Sequence, residues 1–156
     1  MTRVSEAAAS TELAGEQFAT LLRPGDVVLL SGPLGAGKTT FVRGLARGLG
    51  VLERATSPTF TMVREHRCHN DLGVTTLHHA DVYRVRSLDE VVDLALGELV
   101  EEGAVAVVEW GELAAAVFGE DVVTVSIEVV TEESRRIEVG GAGVGDRAEA
   151  FARWAS

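Results

Sequence analysis

The segment Gly32-Pro-Leu-Gly-Ala-Gly37-Lys38-Thr39-Thr40 constrains the fold of this chain more than any other. It carries the spacing G-x-x-x-x-G-K-T, and its flanks suit that spacing. Val27-Val-Leu-Leu30 before it is an apolar run that reads as a buried strand. Thr40 to Leu49 after it places Phe41, Leu45 and Leu49 at helical intervals. A strand, a glycine-rich turn and a helix in that order build an anion cradle. Backbone N–H groups of Gly32, Gly35, Ala36 and Gly37 can turn inward, and the helix aims its positive N-terminal end at the same point. Lys38 supplies a compact charge for β- and γ-phosphate oxygens, and the hydroxyls of Thr39 and Thr40 stand beside it, Thr39 as a Mg²⁺ ligand. Lys38 is also the one lysine of the chain; the other thirteen of its fourteen basic residues are arginine. The segment implies a nucleoside triphosphate.

The remaining pattern predicts an α/β fold of the P-loop NTPase type. Three layers are expected, with a mixed, mainly parallel central sheet in one domain over residues 1–156. Thr11 to Leu22 reads as a helix with Ala14, Phe18, Leu21 and Leu22 on one stripe, closed by Arg23-Pro-Gly-Asp26. Ser57 to Val63 reads as extended, because the residue before Pro58 avoids the helical region. The polar stretch Arg67 to Gly73 turns back into Val74 to Asp81, which predicts a hairpin. Ser87-Leu-Asp-Glu90 is a capping box opening a helix to about Leu96. Ala104-Val-Ala-Val-Val108 is apolar throughout, as a central strand buried on both faces requires. Val122 to Val130 and Arg135 to Val139 read as strands, and Asp146 to Trp154 as a terminal helix with Ala148, Phe151 and Ala155 inward.

Charge narrows the partners. The formal net charge is −10, and a nucleic-acid backbone is bound chiefly through Lys and Arg, so any work near RNA is expected to pass through a protein partner. The N-terminus has no signal-peptide pattern and no stretch is apolar enough for a membrane span, which points to the cytosol. One cysteine, Cys68, allows no internal disulfide.

Two further carboxylates are candidates for P-loop chemistry. Glu109 ends the apolar strand and precedes Trp110. That position holds Mg²⁺ or orients water in such proteins. His79-Ala-Asp81-Val-Tyr83-Arg84 puts His79, Asp81 and Tyr83 on one strand face. Asp81 then either meets the metal or merely begins a turn on a solvated edge. Ser57-Pro-Thr59-Phe60 offers two hydroxyls able to sense a γ-phosphate, or simply a strand start.

In this order and spacing, Leu13, Gly15 and Ala19, the phosphate loop, Ser57-Pro-Thr-Phe-Thr61, His79-x-Asp81-x-Tyr83-Arg84 and Glu109-Trp110 resemble the bacterial TsaE (YjeE) family. That family is the ATPase subunit of the machinery making threonylcarbamoyladenosine in tRNA. The resemblance implies ATP and Mg²⁺ as cofactors, with Lys38 on the phosphates and Thr39 and Glu109 on the metal. It implies that Asp81 positions water, that Thr59 senses phosphate, and that Trp110 lines the nucleotide site. Lys38, Asp81 and Glu109 would together support slow hydrolysis. It further implies docking on the threonylcarbamoyl-transferase subunit and its companion, with tRNA met only indirectly. Two positions depart from the family pattern: Pro33 stands where Asp is frequent, and Gly97 to Gly103 lacks an aromatic.

A small-molecule kinase is the rival enzyme, though no lid-length polar insertion bearing several arginines follows the loop. A GTPase is excluded, since Asn70 and Lys38 are the only residues of their kinds and cannot form N-K-x-D. A non-catalytic, nucleotide-gated docking module is the non-enzyme alternative. Arg135 and Arg136 are candidates to approach the base. His66, His69, His78, His79 and Cys68 are metal-ligand types within one predicted hairpin, at a spacing that fits no zinc pattern.

Overall fold

A computed structural model describes residues 1–53, 63–81, 103–109 and 115–156. Its elements are β1 (Thr2–Ser5), α1 (Ala8–Ala19), β2 (Val27–Ser31), α2 (Lys38–Gly48), β3 (Val63–Arg67), β4 (Thr76–Asp81), β5 (Ala104–Glu109), α3 (Ala115–Phe118), β6 (Val123–Val129), β7 (Arg135–Gly140), a 3₁₀ segment (Ala142–Arg147) and α4 (Ala148–Ala155). The strands form one seven-stranded sheet in the order β1-β7-β6-β2-β5-β4-β3. Strands β6, β2, β5 and β4 run parallel at its centre. Antiparallel partners close both edges. The mixed, mainly parallel sheet is as expected, and β5 is buried at all six positions, as a strand covered on both faces must be.

The predicted hairpin is β3–β4, with Val63 opposite Ala80 and Arg67 opposite Thr76. The Ser87 capping box lies outside the described residues. Three details differ from expectation. Strand β1 was not anticipated: only its Ser5 is buried, and it exists because it pairs with β7. Helix α1 starts at Ala8 rather than Thr11, since the Ser10 hydroxyl accepts from the Ala7 N–H at 2.9 Å and fixes the first turn there. In α4 the buried side chains are Phe151 and Trp154, while Ala148 faces solvent.

One face of the sheet packs on α1, α2 and α4. Val28 and Leu30 of β2 and Val105 and Val107 of β5 meet Phe18, Phe41 and Leu45 there. Phe18 is the hub, its ring 5.4–5.7 Å from those of Phe41, Phe151 and Trp154. Helices α1 and α2 touch backbone to backbone. A Cβ on Gly44 would lie 1.8 Å from the Glu12 carbonyl oxygen, and one on Gly15 would lie 2.1 Å from that of Phe41. Arg47 ties the outer edge of the pair through Glu12 and Glu16. The helix that carries Lys38 is therefore seated against a fixed neighbour.

Candidate functional site

Strand β2 ends at Ser31 and hands the chain to the glycine-rich loop, after which α2 begins at Lys38 itself. Gly37 caps that helix at φ +100°, a left-handed conformation that only glycine adopts without strain. No acidic residue occupies the first turn of α2. The positive end of the helix is thus left for an anion. The loop closes on itself: the Ala36 N–H donates to the Pro33 carbonyl at 3.0 Å. Lys38 Nζ donates to the carbonyls of Gly32 at 2.6 Å and Pro33 at 3.2 Å. The lysine, only 7% exposed, is held at the mouth of the loop rather than extended into solvent.

The carboxylates arrive from the neighbouring parallel strands. In register, Leu30 of β2 lies beside Glu109 of β5, and Glu109 lies beside Asp81 of β4. Alternation along the strands puts Val105, Val107 and Glu109 on one face of β5, and Leu77, His79 and Asp81 on the same face of β4. That is the face on which α2 packs. The carboxyl ends of three adjacent parallel strands therefore converge, which is where open α/β sheets bind ligands.

One cavity of about 300 Å³ gathers the result, lined by Leu34, Gly35, Ala36, Gly37, Lys38, Thr39, Thr40, Asp81 and Glu109. Gly32 meets the same group through Lys38. A second cavity of about 390 Å³ shares Gly35, Gly37 and Thr40 with the first and reaches Thr11, Glu132, Glu133 and Arg135. Thr59 and Trp110 lie outside the described residues, as do Tyr83 and Arg84. The donor set of the first cavity fits a magnesium–phosphate group. A hydroxyl and two carboxylates are hard oxygen ligands, and the ammonium and the helix end balance the phosphate charge.

Glu109 is almost fully buried, which costs free energy for a carboxylate unless it is hydrogen-bonded. His79, completely buried next to it, provides the bond, its Nε2–H donating to Glu109 Oε2 at 2.8 Å. The two residues are thirty positions apart. No local pattern could have paired them, although His79 stood out within its motif. Of Arg135 and Arg136, Arg135 reaches the loop, its Nε donating to the Ala36 carbonyl at 2.9 Å. Arg136 instead points to Glu128 on the surface.

The histidines and the cysteine of the hairpin do not converge. His66 Nδ1 pairs with Glu53 at 2.8 Å and His79 with Glu109. Burial pushes the Cys68 thiol up to about 11, against a smaller opposing effect of a backbone hydrogen bond at Leu77. That thiol is protonated at neutral pH and a poor metal ligand. Among the described residues no three His, Cys, Asp or Glu side chains are placed to hold a metal together.

Comparison with known proteins gives a consistent result. The family model described as threonylcarbamoyl adenosine biosynthesis protein TsaE matches residues 5–137. A tRNA threonylcarbamoyladenosine biosynthesis protein TsaE from Treponema pallidum is 44% identical over 136 residues, 87% of this chain and 97% of that protein. Its counterpart in Bacillus subtilis is 40% identical over 139 residues, 89% of this chain and 83% of that one. The crystal structure of Bacillus subtilis YdiB superposes with a TM-score of 0.71 at 31% identity, covering 98% of this chain and 91% of that chain.

Proposed function

The chain belongs to the TsaE family of threonylcarbamoyl adenosine biosynthesis proteins, and from that premise we propose that it is a Mg²⁺-dependent ATPase of the tRNA-modification machinery. The observation that carries this reading is the shared cavity in which Lys38, Thr39, Asp81 and Glu109 meet under the glycine-rich loop. Phosphoryl transfer to water asks little covalent chemistry of a protein; it asks for positioning and charge stabilisation. Lys38 and the loop amides bind the β- and γ-phosphates. Thr39 and Glu109 hold Mg²⁺, which when bound offsets the charge building on the phosphate oxygens. Asp81, one strand over, orients the attacking water by accepting a hydrogen bond from it. His79 keeps the Glu109 carboxylate from rotating out of place. The neighbouring cavity beside Thr11 and Glu132 would take the nucleoside. From the family resemblance, Thr59 would sense the γ-phosphate and Trp110 would line the nucleotide site.

Turnover by the isolated chain is slow in this scheme and serves to reset the complex on which it docks. The partners are the threonylcarbamoyl-transferase subunit and its companion, in the cytoplasm. The acidic composition supports docking on protein, with tRNA met only indirectly. Among the described residues no helix is long and apolar enough to cross a membrane.

Calorimetry with ATP, with and without Mg²⁺, and phosphate release by the chain alone and with its partners test the proposal. Asp81→Asn and Glu109→Gln should each lower hydrolysis about 100-fold while the protein stays folded, since each removes one charge placed for the transition state. A variant that hydrolyses ATP at the wild-type rate strips its residue of the assigned role. Tight ATP binding with no turnover in any setting would instead favour a nucleotide-gated docking module, and phosphate transfer to an added metabolite would favour a kinase.

The isolated chain should bind tRNA more weakly than about 10⁻⁴ M at physiological salt, because few counterions are released on contact with so acidic a surface. Filter binding across a salt series measures this. Micromolar binding would argue that the chain reads RNA itself.

A further inference from the structure

The guanidinium of Arg135 sits on the outer side of the glycine-rich loop and is spent entirely on main-chain carbonyls. Its Nε donates to Ala36 O at 2.9 Å, and Nη2 lies 3.5 Å from Gly35 O. Its Nη1 reaches the carbonyls of Thr131, Glu132 and Ser134 at 2.9–3.1 Å. The residue thus joins the loop to the β6–β7 turn. Its own backbone is fixed from both sides, opposite Ser5 of β1 and Val129 of β6.

A trans peptide group is a rigid plane in which C=O and the following N–H point in opposite directions. Holding the Ala36 carbonyl toward β7 therefore turns the Gly37 N–H away from Arg135. Holding the Gly35 carbonyl fixes the Ala36 N–H in the same way, and that group closes the turn onto Pro33. Without an outside partner, the flexible Gly35-Ala36-Gly37 backbone could flip these planes and present carbonyl oxygens to the anion. We propose that Arg135 is a positioning residue that locks the phosphate loop before any ligand arrives, with the Gly37 amide turned toward the anion and the Ala36 amide held in the turn onto Pro33. The proposal rests on reading the loop as the ATP site. A lysine could not substitute, because one ammonium cannot span the loop and the turn as a planar fork does.

Amide exchange by NMR in the nucleotide-free protein tests the lock directly. In Arg135→Ala the Ala36 amide should exchange at least about tenfold faster, while Ile137, buried in the same strand, keeps its wild-type rate. ATP and ADP should both bind about tenfold more weakly. Arg135→Lys, which keeps the charge and the stem, should restore neither property. Wild-type exchange at Ala36 in Arg135→Ala would overturn the proposal. So would full rescue by Arg135→Lys, which would reduce the effect to charge, or equal acceleration at Ile137, which would reduce it to general loosening. Should the wild-type chain bind no ATP, the nucleotide reading falls, and the exchange comparison still decides whether the lock exists.

Discussion

Replacing Lys38 with alanine is expected to weaken ATP binding by about 10- to 150-fold, since hydrogen bonds from a charged donor contribute about 1.5–3 kcal/mol. The lysine sits 2.6 Å from the Gly32 carbonyl and is nearly buried, in a cavity whose other charged side chains, among the described residues, are the carboxylates of Asp81 and Glu109. Removing the ammonium leaves those carboxylates facing a polyphosphate with one compact positive charge fewer to offset them. Lys38→Arg is not expected to repair the loss, because a planar guanidinium is larger and distributes its charge over a fork. The fold should persist, because the apolar contacts of α2 are made by Phe41, Val42 and Leu45 on turns beyond Lys38. Calorimetric titration with ATP·Mg²⁺ and a thermal melt of the same sample settle both points. Wild-type affinity in Lys38→Ala would remove the phosphate-loop assignment on which the functional reading stands.

Gly44→Ala should be strongly destabilising, because the added methyl group has no room between the two helices. Its Cβ would lie 1.8 Å from the Glu12 carbonyl oxygen, 2.7 Å from that carbonyl carbon and 3.0 Å from the Glu16 nitrogen. All three are backbone atoms of a packed helix and cannot swing aside. Alanine is intrinsically better in a helix by about 1 kcal/mol. Forcing α1 and α2 apart is expected to outweigh that, at about 3 kcal/mol net, the upper part of the range for overpacked cores. For a domain of this size the melting temperature should fall by about 6–12 °C. Gly25→Ala is the control. Its added Cβ would meet nothing within 4 Å, and only the left-handed φ of +92° opposes it, so its cost should stay at about 1–2 kcal/mol. A Gly44→Ala protein melting within 2 °C of wild type would show that the two helices slide apart at little cost.

Much of this architecture could be read from one dimension because the residues concerned act locally. The loop glycines, Lys38 and the flanking apolar runs announce a strand, a turn and a helix without help from the rest of the chain. The uninterrupted Val105–Val108 run likewise declares a strand buried on both faces. What could not be read depends on pairings across long separations. Strand β1 has no pattern of its own: Val4 is exposed, and the ladder to β7 is what makes it a strand. Composition left Asp81 undecided between a turn and a site. The register that sets it beside Glu109 belongs to the sheet and not to either strand. Arg135 and Arg136 are equal candidates by sequence to approach the base, and the sequence cannot show that Arg135 bonds main-chain carbonyls of the loop. Its carbonyl partners come from two segments, one of them ninety-nine residues away. The glycines of α1 and α2 are the sharpest case, since a small residue in a helix looks like a weakness until the neighbouring backbone is seen.

The solitary lysine, folded back onto the carbonyls of Gly32 and Pro33, also makes the protein its own reporter. An amine-reactive label has one side chain to find, apart from the α-amino group of Met1, which donates to the Val139 carbonyl. The labelled peptide therefore identifies itself. While the ammonium stays hydrogen-bonded and nearly buried it is shielded, and acylation needs the loop to open and a proton to leave. The slow phase of labelling then times the opening of the phosphate loop in unmodified protein. That clock can be read in any mixture where mass spectrometry can find one peptide.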